Sequence, residues 1–385
     1  MTNASVSASS VWSGLVGQAP LVETLERAVA GTDMNHAWLF TGPPGSGRSN
    51  AAMAFAAALQ CEKGGCGECH ACRTALAGSH ADVSVTRTEK LSIGVDEVRD
   101  LVRRASLAPV GHRWQIMIVE DADRLTEQAA NALLKSIEEP TARTVWLLCA
   151  PTVEDVLPTI RSRCRLVVLR TPSPPDVAEF LTRRDDVPEA IASFAARASQ
   201  GHIGRARALA RDEGTRNRRR AVVSIPTMLT SLGACMNAAA SLFDTTKEEA
   251  EAITAVLDAD EKHDLDESYG VVERGRRPRS YAPALRELEK GQKLRAKRRH
   301  LDVIDRGMMD MVSVYRDAIA LQTGAKSALV NEEMRLDLVE LASRSTPEEN
   351  LRRIDSVFST RENLLEFNAA PLLALESMMI ALRVR

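Results

Sequence analysis

The most constraining stretch of the chain is Gly42-Pro43-Pro44-Gly45-Ser46-Gly47-Arg48-Ser49. It follows the apolar run Ala37-Trp38-Leu39-Phe40 and leads into an alanine-rich segment over 50–59. Glycines closing on a basic residue and a hydroxyl, between a strand and a helix, have the spacing of a phosphate-binding P-loop. Gly42, Gly45 and Gly47 would let successive backbone N–H groups curl around an anion at the helix N-terminus. The basic residue of such a loop is a lysine, a compact point charge. Arg48 stands there instead, bulkier and planar. The context predicts a nucleotide-binding scaffold, and the replacement predicts a pocket that has lost turnover. A Gly-rich turn that only joins strand to helix is the competing reading.

Further strands are read at 82–85, 114–119, 144–149 and 166–169, of which 114–119 is nearly continuously apolar, as in a parallel strand buried on both faces. Helical periodicity separates them, over 20–30, 95–105 and from Asn131 to Glu138, with Pro140 as the stop. The expected fold is α/β with a parallel sheet. The run 114–119 ends in Glu120-Asp121. An acidic pair that holds Mg²⁺ and orients the attacking water reads Asp-Glu, and here the order is swapped. Placement errors near 1 Å can cost ~10²-fold in rate. Helix capping is a second use for the same two carboxylates. Ala150 and Pro151 offer no side chain to sense a γ-phosphate, although Thr152 is near.

Cys61, Cys66, Cys69 and Cys72 fall within twelve residues, with Gly64, Gly65 and Gly67 between them. In a reducing compartment such crowding points to metal rather than disulfides. Four thiolates with no open position suit a structural zinc site. An iron–sulfur cluster shares the four-then-two spacing, but its fourth cysteine lies far away, so zinc is favoured.

Ser162-Arg163-Cys164 opens the strand at 166–169, and an arginine there projects from the rim of the sheet. Its guanidinium could serve a neighbouring chain's phosphate or sit in an ordinary surface ion pair. Pro172 to Pro175 reads as a hinge, followed by three short helices up to Ala210. Arg205, in Gly201-His202-Ile203-Gly204-Arg205-Ala206, faces either a nucleotide or solvent. Arg99, Arg103 and Arg104 form a solvated face or, less readily, a lining for DNA phosphates. From about Asp212 the pattern is all helix. A charged, partly exposed stretch runs over 258–299, with a loop at 270–280 and final helices at 301–322 and 347–384. Residues 1–10 read as a polar arm.

The 385 residues allow two or three domains. A net charge of −2 argues against a protein that coats nucleic acid. No secretory pattern and no apolar run near the ~20 residues of a membrane span is found, so a soluble, cytoplasmic chain is expected.

Together these motifs resemble the subunits of the bacterial replicative clamp loader of DNA polymerase III, an AAA+ family, and most closely the delta-prime type. The resemblance rests on Leu15-Val16-Gly17-Gln18, His36, the P-loop, the four-cysteine insert, Asn131-Ala132-Leu133-Leu134-Lys135 through Glu138-Glu139-Pro140, Ser162-Arg163-Cys164, and Gly201 to Ala206. It covers residues 11 to about 210; the helical remainder matches in character only. It implies an AAA+ nucleotide-binding-like domain over 1–171 with a zinc insert at 61–72, a helical lid over 172–212, and a helical collar over 213–385. It implies that Arg163 is an arginine finger reaching the ATP of an adjacent motor (gamma/tau) subunit. It also implies a ring that includes a delta subunit, and action on the sliding clamp at primed DNA. Gly42, Gly45, Gly47, Arg48, Ser49, Glu120, Asp121 and Arg205 would form a degenerate pocket for ATP and Mg²⁺. An active gamma/tau-type motor is the first alternative, and a zinc-dependent nucleic-acid-binding protein a distant second.

Overall fold

The computed structural model describes residues 10–88, 92–111, 113–269, 278, 280–367 and 369–383. The arm expected at 1–10 lies outside the described residues apart from Ser10, and the loop expected at 270–280 does so apart from Pro278 and Ser280. The chain divides into two compact units, Met1–Arg211 and Asp212–Arg385.

The first unit runs α1 (Ala19–Val29), β1 (Ala37–Thr41), α2 (Arg48–Gln60), α3 (His70–Leu76), β2 (Val83–Thr86), α4 (Val95–Ala105), β3 (Gln115–Val119), α5 (Glu127–Glu138), β4 (Thr144–Ala150), α6 (Pro158–Arg161), β5 (Arg165–Val168), α7 (Pro174–Asp185), α8 (Glu189–Ser199) and α9 (Ile203–Arg211). The five strands pair in parallel in the order β2-β3-β4-β1-β5. The runs of β1, β3 and β4 are continuous because helices cover both faces, whereas Leu166 and Val168 of the edge strand β5 are exposed. Trp38, Phe40, Ile116, Ile118, Leu147 and Cys149 pack with α2, where Phe55 meets the Trp38 ring edge-on at 5.0 Å. Leu39, Met117, Val119, Trp146 and Leu148 pack on the other face with α4 and α5. Register aligns Thr41 with Ala150 and Val119 with Leu148. The loops after β1, β3 and β4 therefore leave from one rim, where the Gly42 N–H donates to the Pro151 carbonyl at 3.1 Å.

Several boundaries differ from expectation for identifiable reasons. Asp82 is not in β2; it is buried, and its carboxylate accepts the N–H groups of Val110 and Gly111, both at 2.7 Å. Helix α5 begins at Glu127 rather than Asn131, because Thr126 caps it by accepting the Ala129 N–H. Pro172 to Pro175 is not a free hinge. Ser173 caps α7, and Pro174 and Pro175 occupy its first turn, where a missing N–H costs nothing.

Among the described residues the second unit has helices and no strand: α10 (Glu213–Met228), α11 (Leu232–Ser268), α12 (Tyr281–Thr323), α13 (Arg335–Ser343), α14 (Pro347–Leu365) and α15 (Pro371–Ala381). Its core gathers on α12, with Ile304, Met308, Met311, Val314, Tyr315 and Ala318 buried. The single helix expected over 347–384 is two, because the chain breaks before Pro371, which opens α15. Of the charged 258–299 stretch, residues 258–268 end α11 and residues 281–299 begin α12, and the two helices pack against each other. The interior of this stretch is polar: buried Arg295 pairs with Asp258 at 2.6 Å and with Glu261.

Candidate functional site

The P-loop leaves β1 at Gly42 and enters α2 at Arg48. Gly45 and Gly47 have φ of 83° and 94°, a left-handed backbone that side chains disfavour. Ser46 is buried, and its Oγ has no hydrogen-bond partner among the described residues. Ser49 is the second residue of α2 and half-buried. The Arg48 guanidinium turns back and donates from Nη1 to the Gly42 carbonyl. Burial disfavours its charge, while Asp123, Asp121 and Asp155 oppose that effect. Burial likewise raises the Asp123 carboxyl above its usual range, with Asp121 adding to the shift.

The acid at the end of β3 is also engaged. Glu120, 9% exposed, lies 2.5 Å from the Nε of Arg87, which follows the adjacent strand β2. Thus both charged positions of a phosphate–metal site are tied to partners in this chain. A third group closes the loop. The ring of His202 sits against Gly45 so tightly that a Cβ there would lie 2.2 Å from its Cγ. His202 opens α9: its carbonyl accepts the Ala206 N–H and its Nδ1 the Arg205 N–H. Arg205 is half-buried at that helix start. Thr152 is exposed, and its N–H donates to Asp155 at 2.9 Å.

The four expected cysteines come together. Cys61 caps the C-terminus of α2, and Cys69 caps α3 by accepting the Cys72 N–H. Their four sulfurs lie within 4.8 Å of one another, with Cys61 Sγ 3.7 Å from Cys66 Sγ and 3.8 Å from Cys69 Sγ. Sulfurs bound tetrahedrally at ~2.3 Å to one ion stand about 3.8 Å apart, so the residues fit a single four-coordinate metal. They sit too close together to serve separate irons of a cluster. Burial alone would raise the Cys61 thiol, but the N–H groups of Cys66, Gly65 and Lys63 outweigh it and hold it at about 6. N–H groups of Glu68 and Cys69 likewise lower Cys66, whereas burial pushes Cys72 up.

Arg163 follows α6 in the turn before β5, its side chain 40% exposed. Nη1 donates to the Thr159 carbonyl at 2.8 Å and to Ser162 Oγ at 3.2 Å, and Nη2 lies 2.6 Å from Glu138 Oε1 at the end of α5. Sequence reasoning did not single out Arg87, His202 or Glu138 for these contacts. Each meets its partner across the fold, and no spacing signals it.

The parallel five-stranded sheet, the Gly-rich loop after β1 and the acidic pair after β3 define an α/β module of the P-loop kind. Residues 17–173 match the family described as "DNA polymerase III, delta subunit". A DNA polymerase III subunit delta' of Pseudomonas aeruginosa is 41% identical over 165 residues, 40% of this chain and 50% of that one. The subunit delta' of Escherichia coli is 35% identical over 181 residues, 46% of this chain and 54% of that one. The gamma/tau subunit of Mycobacterium tuberculosis is 35% identical over 174 residues, 44% of this chain and 30% of that one. The match therefore spans between about a third and a half of these relatives. A gamma subunit-related protein of Thermotoga maritima superposes over 94% of this chain and 98% of that one, at 17% identity and a TM-score of 0.43. The similarity to DNA polymerase III clamp-loader subunits, of both the delta' and the gamma/tau kind, lies in the first part of the chain. Among the described residues no helix is long and apolar enough to cross a membrane.

Proposed function

We propose that this chain is a delta-prime-type subunit: it hydrolyses no ATP itself and lends Arg163 to the ATP site of an adjacent gamma/tau motor subunit. The observation that carries this reading is the bond from Arg48 to the Gly42 carbonyl. It spends the loop's cation on the loop's own backbone. Arg87 on Glu120 and His202 on Gly45 support the same conclusion. Arg163, by contrast, is half-exposed on a separate turn, where it can reach another chain. In trans a guanidinium stabilises the charge spread over a transferring phosphoryl group, worth ~10³–10⁵ in rate.

In this reading residues 1–171 form the nucleotide-binding-like domain, α7 to α9 a lid, and residues 213–385 a collar that joins the gamma/tau and delta subunits in a ring. The ring would open a sliding clamp at primer–template DNA. Cys61, Cys66, Cys69 and Cys72 would hold zinc in a structural role. ATP and Mg²⁺ would bind weakly or without turnover at Gly42 to Ser49, Glu120, Asp121 and Arg205.

A gamma/tau-type motor is the second reading, favoured by the gamma/tau relatives and by the retained glycines. ATP turnover by the isolated chain separates the two. Robust turnover abolished by Arg48→Ala would establish the motor.

A further inference from the structure

The side chain that meets the Arg163 guanidinium from a different element is Glu138, on the last residue of α5. We infer that Glu138 is the positioning residue of the trans-acting arginine, an inference that rests on the reading of Arg163 given above.

Two anchors hold the guanidinium from different directions. Its own turn supplies Thr159 O and Ser162 Oγ, both to Nη1. Helix α5 supplies the Glu138 carboxylate, to Nη2. The Nε–H donates to none of the described residues, so the edge carrying it is open to a phosphate oxygen. An arginine fork binds phosphate best through paired N–H groups held in one plane. A guanidinium anchored from two directions, with its Nε–H left for a phosphate oxygen, is already oriented for that task.

The alternative, that Glu138 locks the arginine away, fails on magnitude. The two side chains are 40% and 43% exposed. A pair that exposed contributes at most about a five-fold factor. The trans contact to a transferring phosphoryl group is worth ~10³–10⁵. The phosphate therefore wins any competition, and what Glu138 sets is where the guanidinium waits. Placement errors near 1 Å in a catalytic group cost up to ~10²-fold. Helix α5 supplies a firm base, because Leu133 and Ile137 are fully buried against the sheet.

The test is a double-mutant cycle in the loader reconstituted with its partner subunits, read as steady-state ATP hydrolysis and thermal melting. Glu138→Ala should lower kcat by roughly five- to fifty-fold with KM for ATP unchanged. Glu138→Gln, which keeps the length and an acceptor, should recover part of the loss. In an Arg163→Ala background Glu138→Ala should cost nothing further, and it should not shift the melting temperature. An equal loss in both backgrounds would make Glu138 merely structural and overturn the inference. So would unchanged kcat for Glu138→Ala where Arg163→Ala is impaired. Full hydrolysis by Arg163→Ala alone would instead remove the parent reading, and this inference with it.

Discussion

Arg48 donates to the carbonyl of Gly42, so the last cation of the P-loop is bonded to the loop's first glycine. A phosphate entering the loop would have to break that bond and displace the planar group. Lysine would sit there as a flexible point charge with its donors free to rotate. Arg48→Lys should therefore strengthen nucleotide binding by the isolated chain about ten-fold or more, measured by titration with a fluorescent ATP analogue. Hydrolysis should stay at background, because Glu120 is still held by Arg87 and Asp121 remains a methylene short. Tight ATP binding by the unaltered chain would contradict this account.

Arg163→Ala should leave subunit assembly intact, since the side chain is half-exposed and its ion pair is a surface one. If Arg163 acts in trans as proposed, hydrolysis at the neighbouring subunit's ATP site should fall by ~10³–10⁵-fold. Sizing of the reconstituted loader checks the first statement, and single-turnover hydrolysis the second.

The four sulfurs join the end of α2 to the start of α3, and Cys61 and Cys72 are buried. A metal here would substitute for a core that so short a segment cannot build. One zinc per chain is expected by elemental analysis. Cys69→Ser should lose it, and a strong chelator should lower the melting temperature of the unaltered protein but not of the variant. Retention of full zinc by the variant would defeat the four-thiolate site.

What the sequence made legible follows from what is local. The central strands β1, β3 and β4 stood out because each is a nearly unbroken apolar run with both faces buried, whereas the outer strands β2 and β5 are shorter and partly exposed. The four cysteines stood out because so close a spacing lets one short segment bring all four sulfurs together. Helix ends were misplaced where a single capping oxygen, as at Thr126 or Ser173, decides the boundary. The break before Pro371 carried a local signal that the apolar stripe on either side obscured. Contacts between distant charges were illegible. Arg87 meets Glu120, Arg163 meets Glu138 and Arg295 meets Asp258 only after strands and helices have been placed. His202 was seen as part of a motif, but its place against Gly45 depends on where α9 begins.

That last contact is testable by itself. Gly45 has φ of 83°, and an added Cβ would meet His202 at Cγ, Cδ2 and Cβ within 2.2–2.5 Å. These atoms lie near the root of the ring, so a small rotation cannot relieve them. Gly45→Ala should cost about 1–3 kcal/mol from the backbone conformation alone, with a steric cost on top. Adding His202→Gly, which removes the Cβ at 2.5 Å as well as the ring, should recover the steric part only. Denaturant unfolding of both variants reads the difference, and no recovery would mean that the ring is not seated on the loop.

The polar contact between α11 and α12 makes a pH prediction whose sign is fixed. Hydrogen bonds from Arg295 hold the Glu261 carboxyl below its ordinary range, against the opposing effect of burial. A carboxylate depressed in the folded state adds stability that is present above its unfolded value, ~4.3, and is lost as pH falls through the folded one. This helix pair should thus be stable at neutral pH and weaken progressively below about pH 4. Arg295→Leu removes the main cause of the depression, leaving the weaker hydrogen bond from Gln292. The variant should be less stable at pH 7, because Asp258 and Glu261 lose their partner, yet its stability should fall less steeply in acid. Hydrogen exchange of α11 amides from Thr254 to Leu265 measures this region by itself. Parallel pH profiles for the two proteins would show that Arg295 does not set the Glu261 ionisation.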